Sequence, residues 1–419
     1  MIINGTEFQE GDRVRVRKDD VSYEGILMPS RSGNIVLKMK NGYNVGLAPE
    51  GSSVEFIEKE RPPSQRLAPH VHIESKDLPQ VSILSTGGTI ASRVDYRTGA
   101  VSSQFTPDDI MDASPELTDI ANYKGEVLSM IFSEDMDASI WQNLARAVYR
   151  HIKEGAQGVI VTHGTDTMQY TAAALSFMVQ SPVPVVLVGS QRSSDRPSSD
   201  NAMNAICAAT VAVSDIAGVS VVMHGSTSDD FCYVHRGTKV RKLHTSTRTA
   251  FQTVNEAPIA RVDYGTRKIT VLDDYPKRGQ LELKLRDTME PKCALVKFYP
   301  GMPADIIGYY LNKGYRGIVL EGTGLGHVNR QWVPTIEKAV KAGVTVVMTS
   351  QCVNGRVVDR VYSTGIDLIN AGVIEGQDML AETALVKLMW ALGQTQDKAE
   401  IRRMMQTDIA GEINWRSPV

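Results

Sequence analysis

The 419-residue sequence lacks several features that would assign it to a specialised class of protein. No stretch is apolar for long enough to span a bilayer, and the amino terminus lacks the apolar core of a signal peptide. The few cysteines form no CxxC pair and no Cys/His cluster with the spacing of a zinc site. We therefore expect a soluble intracellular protein without a metal site, whose free thiols are Cys207, Cys232, Cys293 and Cys352.

A strong charge of one sign is also lacking. The 45 Lys and Arg residues nearly balance the 48 Asp and Glu residues, which leaves a net charge of -3. This balance excludes nucleic-acid binding by bulk charge alone, although it is compatible with a local basic patch. Apolar residues, in contrast, make up 42% of the chain, which is ample for a large core. The length predicts two or three domains.

The residue pattern changes twice along the chain. Residues 1–59 contain short apolar runs separated by turn residues such as Asn41-Gly42, which is typical of a small all-β barrel. Residues 60–80 are rich in proline and mixed charge with little periodicity, and this composition predicts a linker. The remaining chain, from Val81, has a different pattern.

From Val81 onward, apolar runs alternate with segments of helical periodicity. The runs include "VSIL", "GVIV", "PVVLVG" and "GVSVVM", and they are rich in β-branched residues. Uninterrupted runs of this kind predict strands buried on both faces of a parallel sheet, connected by helices. We predict an α/β fold with a large domain at 81–274, a connector at 275–290 and a smaller α/β domain at 291–419.

Two threonine-rich loops follow two of the predicted strands. They are "STGG" at Ser85–Gly88 and "THGTDT" at Thr162–Thr167. Because the carboxyl ends of parallel strands meet at one edge of a sheet, we expect both loops to build one site. Gly87 and Gly88 allow close approach of the backbone to a ligand, and their N–H groups suit an anion or an oxyanion.

A threonine hydroxyl such as that of Thr86 needs a nearby base to act as a nucleophile. The sequence offers a second threonine, Thr165, the carboxylate of Asp166, and a lysine in "HRGTKVRKLHT". A buried lysine beside a threonine hydroxyl acts as a base. The carboxylate of Asp166 would hold that lysine or a substrate ammonium group. This set of residues predicts a site in which a threonine hydroxyl reacts as a nucleophile.

Simpler interpretations of the same segments stay open. Thr165 or Asp166 would serve equally well as a helix N-cap, and "STGG" as a tight turn. For His163 we favour a structural hydrogen-bonding role over a catalytic one. The segment "GTGLGHVNR", Gly322–Arg330, is not a complete dinucleotide fingerprint, and we interpret it as a strand-to-helix loop without a cofactor.

The segments "TGGTIAS" and "HGTDTM" resemble the two signature segments of the bacterial-type L-asparaginases. The resemblance extends from Val81 to about Thr395 and includes "SEDM" and "STGIDLINAGVI". With the small β-domain ahead of this body, the chain resembles the family of the D-type subunit of archaeal glutamyl-tRNA(Gln) amidotransferase. The resemblance implies an asparaginase-like body of two α/β domains, preceded by a small all-β barrel.

In that family, the D-type subunit hydrolyses glutamine and supplies ammonia to a partner, the E-type subunit. The partner binds Glu-tRNA(Gln), uses ATP and Mg²⁺, and forms Gln-tRNA(Gln). The resemblance implies no cofactor in this chain and a cytoplasmic homodimer within a heterotetramer. Two alternatives remain: a stand-alone cytoplasmic L-asparaginase with an added N-terminal domain, and a non-catalytic protein that binds an amino acid. A docking role for the N-terminal barrel is a further hypothesis.

The resemblance also implies roles for individual residues near the first loop. Thr86 matches the nucleophile that forms an acyl-enzyme, and Tyr96 matches a tyrosine on a mobile loop that assists it. Ser133 matches the residue that binds the substrate α-carboxylate. Glu134 stands where many asparaginases have glutamine, and a carboxylate there implies stronger binding of an ammonium group. Asparagine preference is therefore not implied.

Around the second loop, Thr165, Asp166 and Lys242 match the second threonine, the aspartate and the lysine of the family. Asp166 would also bind the substrate α-ammonium group. The match of Lys242 depends on "VRKLHT" in the basic stretch His235–Arg248. A solvated loop and a tRNA-facing patch are the alternative interpretations of that stretch. The acidic residue that is contributed by a neighbouring protomer in this family is not assigned to a position.

Overall fold

The computed structural model describes residues 2–3, 6–9, 11–28, 30, 33–39, 44–59, 75–88, 93–94, 101–102, 114–192 and 199–416. Tyr96 and residues 60–74 of the expected linker lie outside these described residues. The described strands form separate sheets in the N-terminal, middle and C-terminal parts of the chain. The domain boundaries given above stay predictions.

The N-terminal part of the chain is built from antiparallel strands. A short pair, β1 Ile2–Ile3 and β2 Thr6–Glu7, precedes β3 Asp12–Lys18, β4 Val21–Met28, β5 Ile35–Met39, β6 Asn44–Leu47 and β7 Ser52–Lys59. The last five strands form one sheet in the order β6-β5-β4-β3-β7. Strand β3 has the alternation of a strand with one buried face. Val14 and Val16 are buried in the core, while Arg13 and Arg15 alternate with them and pair with glutamates.

The middle of the chain forms an eight-stranded sheet. Its strands are β8 Gln80–Gly87, β11 Asn122–Ile131, β12 Gly158–Thr162, β14 Pro184–Val188, β15 Gly218–His224, β16 Phe231–Arg236, β19 Ala260–Asp263 and β20 Ile269–Val271. They lie in the order β11-β8-β12-β14-β15-β16-β19-β20, in which the first five strands are parallel and the others antiparallel. Short two-stranded pairs are β9 Arg93–Val94 with β10 Val101–Ser102, β13 Val179–Gln180 with β21 Lys284–Leu285, and β17 Val240–Lys242 with β18 Phe251–Thr253.

Among the described residues, three helices lie on the two faces of this sheet: α1 Ala138–Lys153, α2 Met168–Met178 and α3 Asn201–Ala212. Helix α1 is amphipathic and begins where the Asp137 carboxylate accepts a hydrogen bond from the Ile140 N–H, at 3.0 Å. Helices α2 and α3 are alanine-rich and buried almost all round. The apolar residues of α1 and α2 belong to the core on one face, and those of α3 to the core on the other.

The C-terminal part forms a smaller, parallel sheet. Its strands are β22 Cys293–Lys297, β23 Gly317–Gly322, β24 Thr345–Ser350 and β25 Ile374–Glu375, paired in this order, and its helices are α4 Asp305–Asn312, α5 Val333–Lys341, α6 Ser363–Asn370, α7 Ala381–Gln394 and α8 Lys398–Gln406. Helix α7 packs on α2 of the middle domain, where the rings of Trp390 and Phe177 stack at 5.8 Å. The two α/β domains therefore share one apolar core.

The α/β fold class is confirmed, with a correction to the larger sheet. The expected parallel sheet is mixed, because β16, β19 and β20 run antiparallel to their neighbours. Antiparallel strands need no helical crossover, so this part of the sequence lacks the strand-helix alternation by which the parallel strands are recognised. No helix among the described residues has both the length and the apolar character needed to cross a membrane.

Candidate active site

The two threonine-rich loops leave the large sheet side by side. Strands β8 and β12 are parallel neighbours, and their register places Thr162 opposite Ser85. Thr86 and the loop that begins at His163 therefore emerge at the same carboxyl edge of the sheet. This is the edge at which open parallel sheets bind ligands.

Thr86 is buried, and its hydroxyl is fixed by the neighbouring strand. The Thr86 Oγ1 donates a hydrogen bond to the main-chain oxygen of Thr162, at 3.0 Å. No basic side chain among the described residues lies within hydrogen-bond distance of this hydroxyl. The described structure therefore shows Thr86 in contact with a main-chain acceptor and not with a base.

Glycines allow the loops of the site to pack backbone against backbone. Gly87 and Gly88 have φ angles of +104° and +91°, which favour glycine. A Cβ at Gly88 would lie 2.6 Å from the carbonyl carbon of His163. At Gly164, a Cβ would lie 2.7 Å from the Cβ of Ser133. Three chain segments thus converge at distances that no larger residue permits.

Lys242 joins the members of the second loop. Its ammonium nitrogen lies 2.8 Å from the Thr165 Oγ1 and 2.6 Å from the Asp166 Oδ1. The side chain of Lys242 is 9% exposed and that of Asp166 is 69% exposed, so the carboxylate faces the open side of the site. The Thr165 hydroxyl contacts the Lys242 amine, which contacts the Asp166 carboxylate. This is the arrangement expected of a reacting group, its base and the group that orients the base.

Ser133 and Glu134 lie in a 3₁₀ turn, Ser133–Asp135, directly after β11. Ser133 is buried, and its main-chain oxygen accepts a hydrogen bond from the Thr167 hydroxyl at 2.6 Å. Glu134 is exposed. The turn therefore belongs to the same loop cluster as Gly164 and Thr167, with one buried hydroxyl and the exposed carboxylates of Glu134 and Asp135.

His163 is held in a buried chain of hydrogen bonds. The indole N–H of Trp141 donates to the Thr171 hydroxyl at 2.9 Å, and that hydroxyl lies 2.8 Å from the His163 Nε2. The His163 Nδ1 lies 2.6 Å from the main-chain oxygen of Gly164. Because a carbonyl oxygen only accepts, Nδ1 carries the proton, and Nε2 accepts from the Thr171 hydroxyl. Complete burial lowers the pKa of His163 to about 4, so the ring is neutral.

Comparisons with known proteins identify the family of the domains that carry this site. The family model for the N-terminal part of asparaginase matches residues 80–274, and the glutaminase/asparaginase C-terminal domain matches residues 292–405. The GatD N-terminal domain matches residues 8–57. The D-type subunit of glutamyl-tRNA(Gln) amidotransferase from Methanosarcina barkeri is 59% identical over 97% of this chain and 98% of its own length. The chain belongs to the GatD family.

A further relative and a solved structure support the assignment to this family and its fold. The corresponding amidotransferase protein of Pyrococcus furiosus is 52% identical over 96% of this chain and 94% of its own length. Among solved structures, the thermostable L-asparaginase from Thermococcus kodakarensis matches with a TM-score of 0.72 and 32% identity. It covers 80% of this chain and 100% of its own. The whole L-asparaginase therefore corresponds to a part of this chain.

The described structure of this GatD family member brings most of the predicted site residues together. Lys242, Thr165 and Asp166 are in direct contact, and Ser133 packs on the loop that carries them. The N-cap interpretation is wrong for Thr165 and Asp166, because helix α2 has Thr167 at its N-cap. The roles of these residues, of Thr86, Gly87 and Gly88, and of Tyr96 beyond the described range stay proposals.

The basic stretch His235–Arg248 is less exposed than a solvated loop. Thr238, Lys239 and Val240 are buried, so the solvated-loop interpretation is wrong for its first half. Among the described residues, no cluster of three or more His, Cys, Asp or Glu side chains has the geometry to hold a metal ion.

Sequence reasoning missed two features of the site. One is the contact of Gly164 with Ser133, and the other is the Trp141–Thr171–His163 chain. Both depend on residues far apart in the sequence. The glycine of "HGTDT" was the available signal of a close approach, and the hydrogen-bond chain had no local signal.

Proposed function

We propose that this chain is the glutaminase component of a tRNA-dependent amidotransferase. It hydrolyses free glutamine to glutamate and ammonia, and the ammonia passes to a partner, the E-type subunit. That partner converts Glu-tRNA(Gln) to Gln-tRNA(Gln) with ATP and Mg²⁺. The proposal is supported by the near full-length identity to the named amidotransferase proteins and by the match to the GatD N-terminal domain.

The observation that supports the chemistry best is the contact of Lys242 with Thr165 and Asp166, at 2.8 Å and 2.6 Å. These groups lie at the sheet edge where Thr86 also emerges. A non-catalytic protein that only binds an amino acid has no need of a threonine pair with a lysine base. The arrangement therefore favours hydrolysis over mere binding.

In the first half of the reaction, the Thr86 oxygen attacks the side-chain amide carbon of glutamine. The N–H groups of Gly87 and Gly88 stabilise the negative oxygen that forms on that carbon. The carbon–nitrogen bond then breaks, the nitrogen takes a proton, and ammonia leaves. Tyr96 assists the proton transfer from Thr86. The product of this half is an ester between Thr86 and the glutamyl group.

In the second half, water attacks the ester carbonyl. Thr165 takes a proton from the water and passes its own to Lys242, which accepts it as a neutral amine, and Asp166 holds the resulting ammonium group in place. The proton then returns from Lys242 through the Thr165 hydroxyl to the Thr86 oxygen as the ester bond breaks, and free glutamate is released. Because the two halves use different hydroxyls, the base next to Thr165 is not required to lie next to Thr86.

The substrate is held by its α-amino and α-carboxylate groups. The Ser133 hydroxyl binds the carboxylate, and the carboxylates of Asp166 and Glu134 bind the ammonium group by charge-assisted hydrogen bonds. Both carboxylates are exposed at the open side of the loop cluster, where such a group enters. No metal or organic cofactor takes part in this chain.

The second candidate is a stand-alone L-asparaginase, favoured by the structural match to the Thermococcus kodakarensis enzyme. The two functions share the site and differ in substrate and in dependence on a partner. The test is ammonia release from glutamine and from asparagine, each with and without the E-type subunit and Glu-tRNA(Gln). We expect glutamine turnover that rises sharply with both additions. Fast asparagine turnover that ignores them would establish the alternative.

The nucleophile has its own test. In the assembled complex, Thr86→Ala is expected to lower ammonia release by at least about 10⁴-fold, as removal of a nucleophile does in other covalent mechanisms. Thr210→Ala is the matched control, because its hydroxyl bonds to the Ile206 main-chain oxygen within helix α3, away from the loop cluster. Glutaminase activity that survives Thr86→Ala, with Thr210→Ala unchanged, contradicts the covalent mechanism.

The assembly proposed for this chain is a cytoplasmic homodimer within a heterotetramer with the E-type subunit. The N-terminal sheet has its own apolar core, separate from those of the α/β body. We assign this sheet to docking on that partner or on tRNA. Binding of tRNA to the purified chain, compared with binding to the full complex, separates these two roles.

A further inference from the structure

The hairpin that carries Lys242 is too small to fix its own position. Strands β17 and β18 pair over three residues each, and they form a sheet of two strands. An isolated two-stranded hairpin is marginally stable at best. The position of the Lys242 amine relative to Thr165 must therefore be fixed by whatever packs against this hairpin.

Side chains alternate along this hairpin strand. Val240 and Lys242 share one face, and Lys239 and Arg241 share the other. The main-chain oxygen of Lys239 accepts a hydrogen bond from the Val254 N–H at 2.9 Å, so the pairing continues to that residue. The face opposite to Lys242 thus carries two cations directed away from the proposed site.

The first cation is tied to the C-terminal domain. The Lys239 ammonium nitrogen lies 2.6 Å from the Asp378 Oδ2, and both side chains are 0% exposed. The other oxygen of Asp378 accepts the Asn414 main-chain N–H at 2.9 Å. Buried ion pairs contribute little net stability compared with apolar residues, and their attraction offsets the loss of hydration only when the geometry is good. This pair therefore restricts where the hairpin can lie.

The second cation is tied to the first turn of helix α7. The Arg241 Nε lies 3.1 Å from the Glu382 Oε1, and the Thr383 hydroxyl donates to the Thr238 main-chain oxygen at 2.9 Å. On the hairpin, all of these contacts lie within four residues of Lys242. In the C-terminal domain they lie within one stretch of six residues at the start of α7.

We infer that an interdomain clamp, formed by Lys239–Asp378, Arg241–Glu382 and Thr238–Thr383, holds Lys242 in its working position. The inference rests on the proposed role of Lys242. The clamp residues are positioning residues, since they act through the hairpin and not on the substrate. A displacement of about 1 Å of a reacting group costs up to about 10²-fold in rate. The C-terminal domain is thereby a part of the catalytic apparatus.

The test uses Glu382→Gln in the full complex with the E-type subunit and Glu-tRNA(Gln). The matched control is Glu290→Gln, which neutralises a glutamate that pairs with Arg316 and whose backbone bonds to Met389 in the second half of α7. We expect Glu382→Gln to lower kcat by about tenfold or more with KM for glutamine unchanged, and Glu290→Gln to leave both unchanged. Equal kcat values for the two variants overturn the clamp.

Four further variants keep the result interpretable: Arg241→Gln, its combination with Glu382→Gln, Arg241→Lys and Lys242→Met. Arg241→Gln combined with Glu382→Gln should lose no more activity than either single change, because the two residues act as one pair. Arg241→Lys keeps the charge and should recover part of the kcat. Lys242→Met distinguishes a failure of the clamp from a failure of the proposed mechanism. If Lys242→Met is inactive and Glu382→Gln is normal, only the clamp fails, and if Lys242→Met is active, the proposed mechanism fails.

Discussion

His163 shows how a single residue supports the site without touching a substrate. It is neutral, its Nε2 accepts from Thr171, and its Nδ1 donates to the main-chain oxygen of Gly164. That oxygen belongs to the loop that continues into Thr165. The ring thereby fixes the turn that presents the Thr165 hydroxyl to Lys242, and we assign it a positioning role.

An asparagine in place of His163 tests this role. The Asn amide N–H occupies the place of the Nδ1–H, so His163→Asn is expected to keep the bond to Gly164 and to retain kcat within about tenfold. His163→Leu removes the bond and should lower kcat by about 10²-fold, as a loop displacement of about 1 Å does. The measurement is ammonia release by the complex. Equal losses for both variants contradict the assignment.

The same residue gives a pH dependence of stability. Its pKa is about 4 in the folded protein and about 6.5 when unfolded, so only the unfolded chain takes up a proton between these values. The contribution of neutral His163 to the free energy of unfolding is fully present above pH 6.5. It is lost as the pH decreases toward 4, which lowers the free energy of unfolding by up to about 3 kcal/mol. Urea unfolding at pH 7 and pH 4.5 should show a smaller difference for His163→Asn than for the unchanged protein.

At the scale of elements, the strand-loop junctions were predictable and the hairpin was not. Both threonine-rich loops follow buried β-branched runs, and parallel strands bring such loop ends together by geometry. Lys242, in contrast, reaches Thr165 from a short hairpin whose residues have mixed polarity and no strand periodicity. Its contact with Thr165 spans a sequence separation of 77 residues, and it depends on Asp378 and Glu382, whose partners no local pattern reveals.

The loop packing predicts a strong effect of Gly88→Ala. The new Cβ would lie 2.6 Å from the His163 carbonyl carbon, in addition to the strain of a φ angle of +91°. We expect ammonia release to fall by at least about 10²-fold, because the loops of Thr86 and Thr165 must move apart. Gly155→Ala is the control, since Gly155 has a φ angle of +106° and nothing within 4 Å of its Cβ position.

The control separates backbone strain from loop displacement. Gly155→Ala should lower the free energy of unfolding by about 1–2 kcal/mol, the cost of a left-handed conformation for an L-residue, without a change in kcat. If Gly88→Ala loses stability to the same extent and keeps its kcat, the close approach of the two loops is not required for the reaction.

At the scale of the whole molecule, the chain combines a body found in an L-asparaginase with an extra sheet. The structure from Thermococcus kodakarensis matches 80% of this chain and all of its own, which shows that an asparaginase body needs no such sheet. The N-terminal sheet keeps a separate core, formed among others by Val14, Val16, Leu27 and Leu37. Hydrolysis and coupling to tRNA are therefore expected to be separable.

Deletion of residues 1–59 tests that separation. The truncated chain should fold and retain its basal ammonia release, because the proposed site lies wholly in the α/β body. Amidation of Glu-tRNA(Gln) in the presence of the E-type subunit should fall, together with the stimulation of glutamine hydrolysis by tRNA. Sedimentation with the E-type subunit distinguishes loss of binding to that subunit from loss of the stimulation by tRNA in an assembled complex. A truncated chain that still assembles and transfers ammonia normally would assign the docking surface to the asparaginase body, and the N-terminal sheet would then serve another purpose.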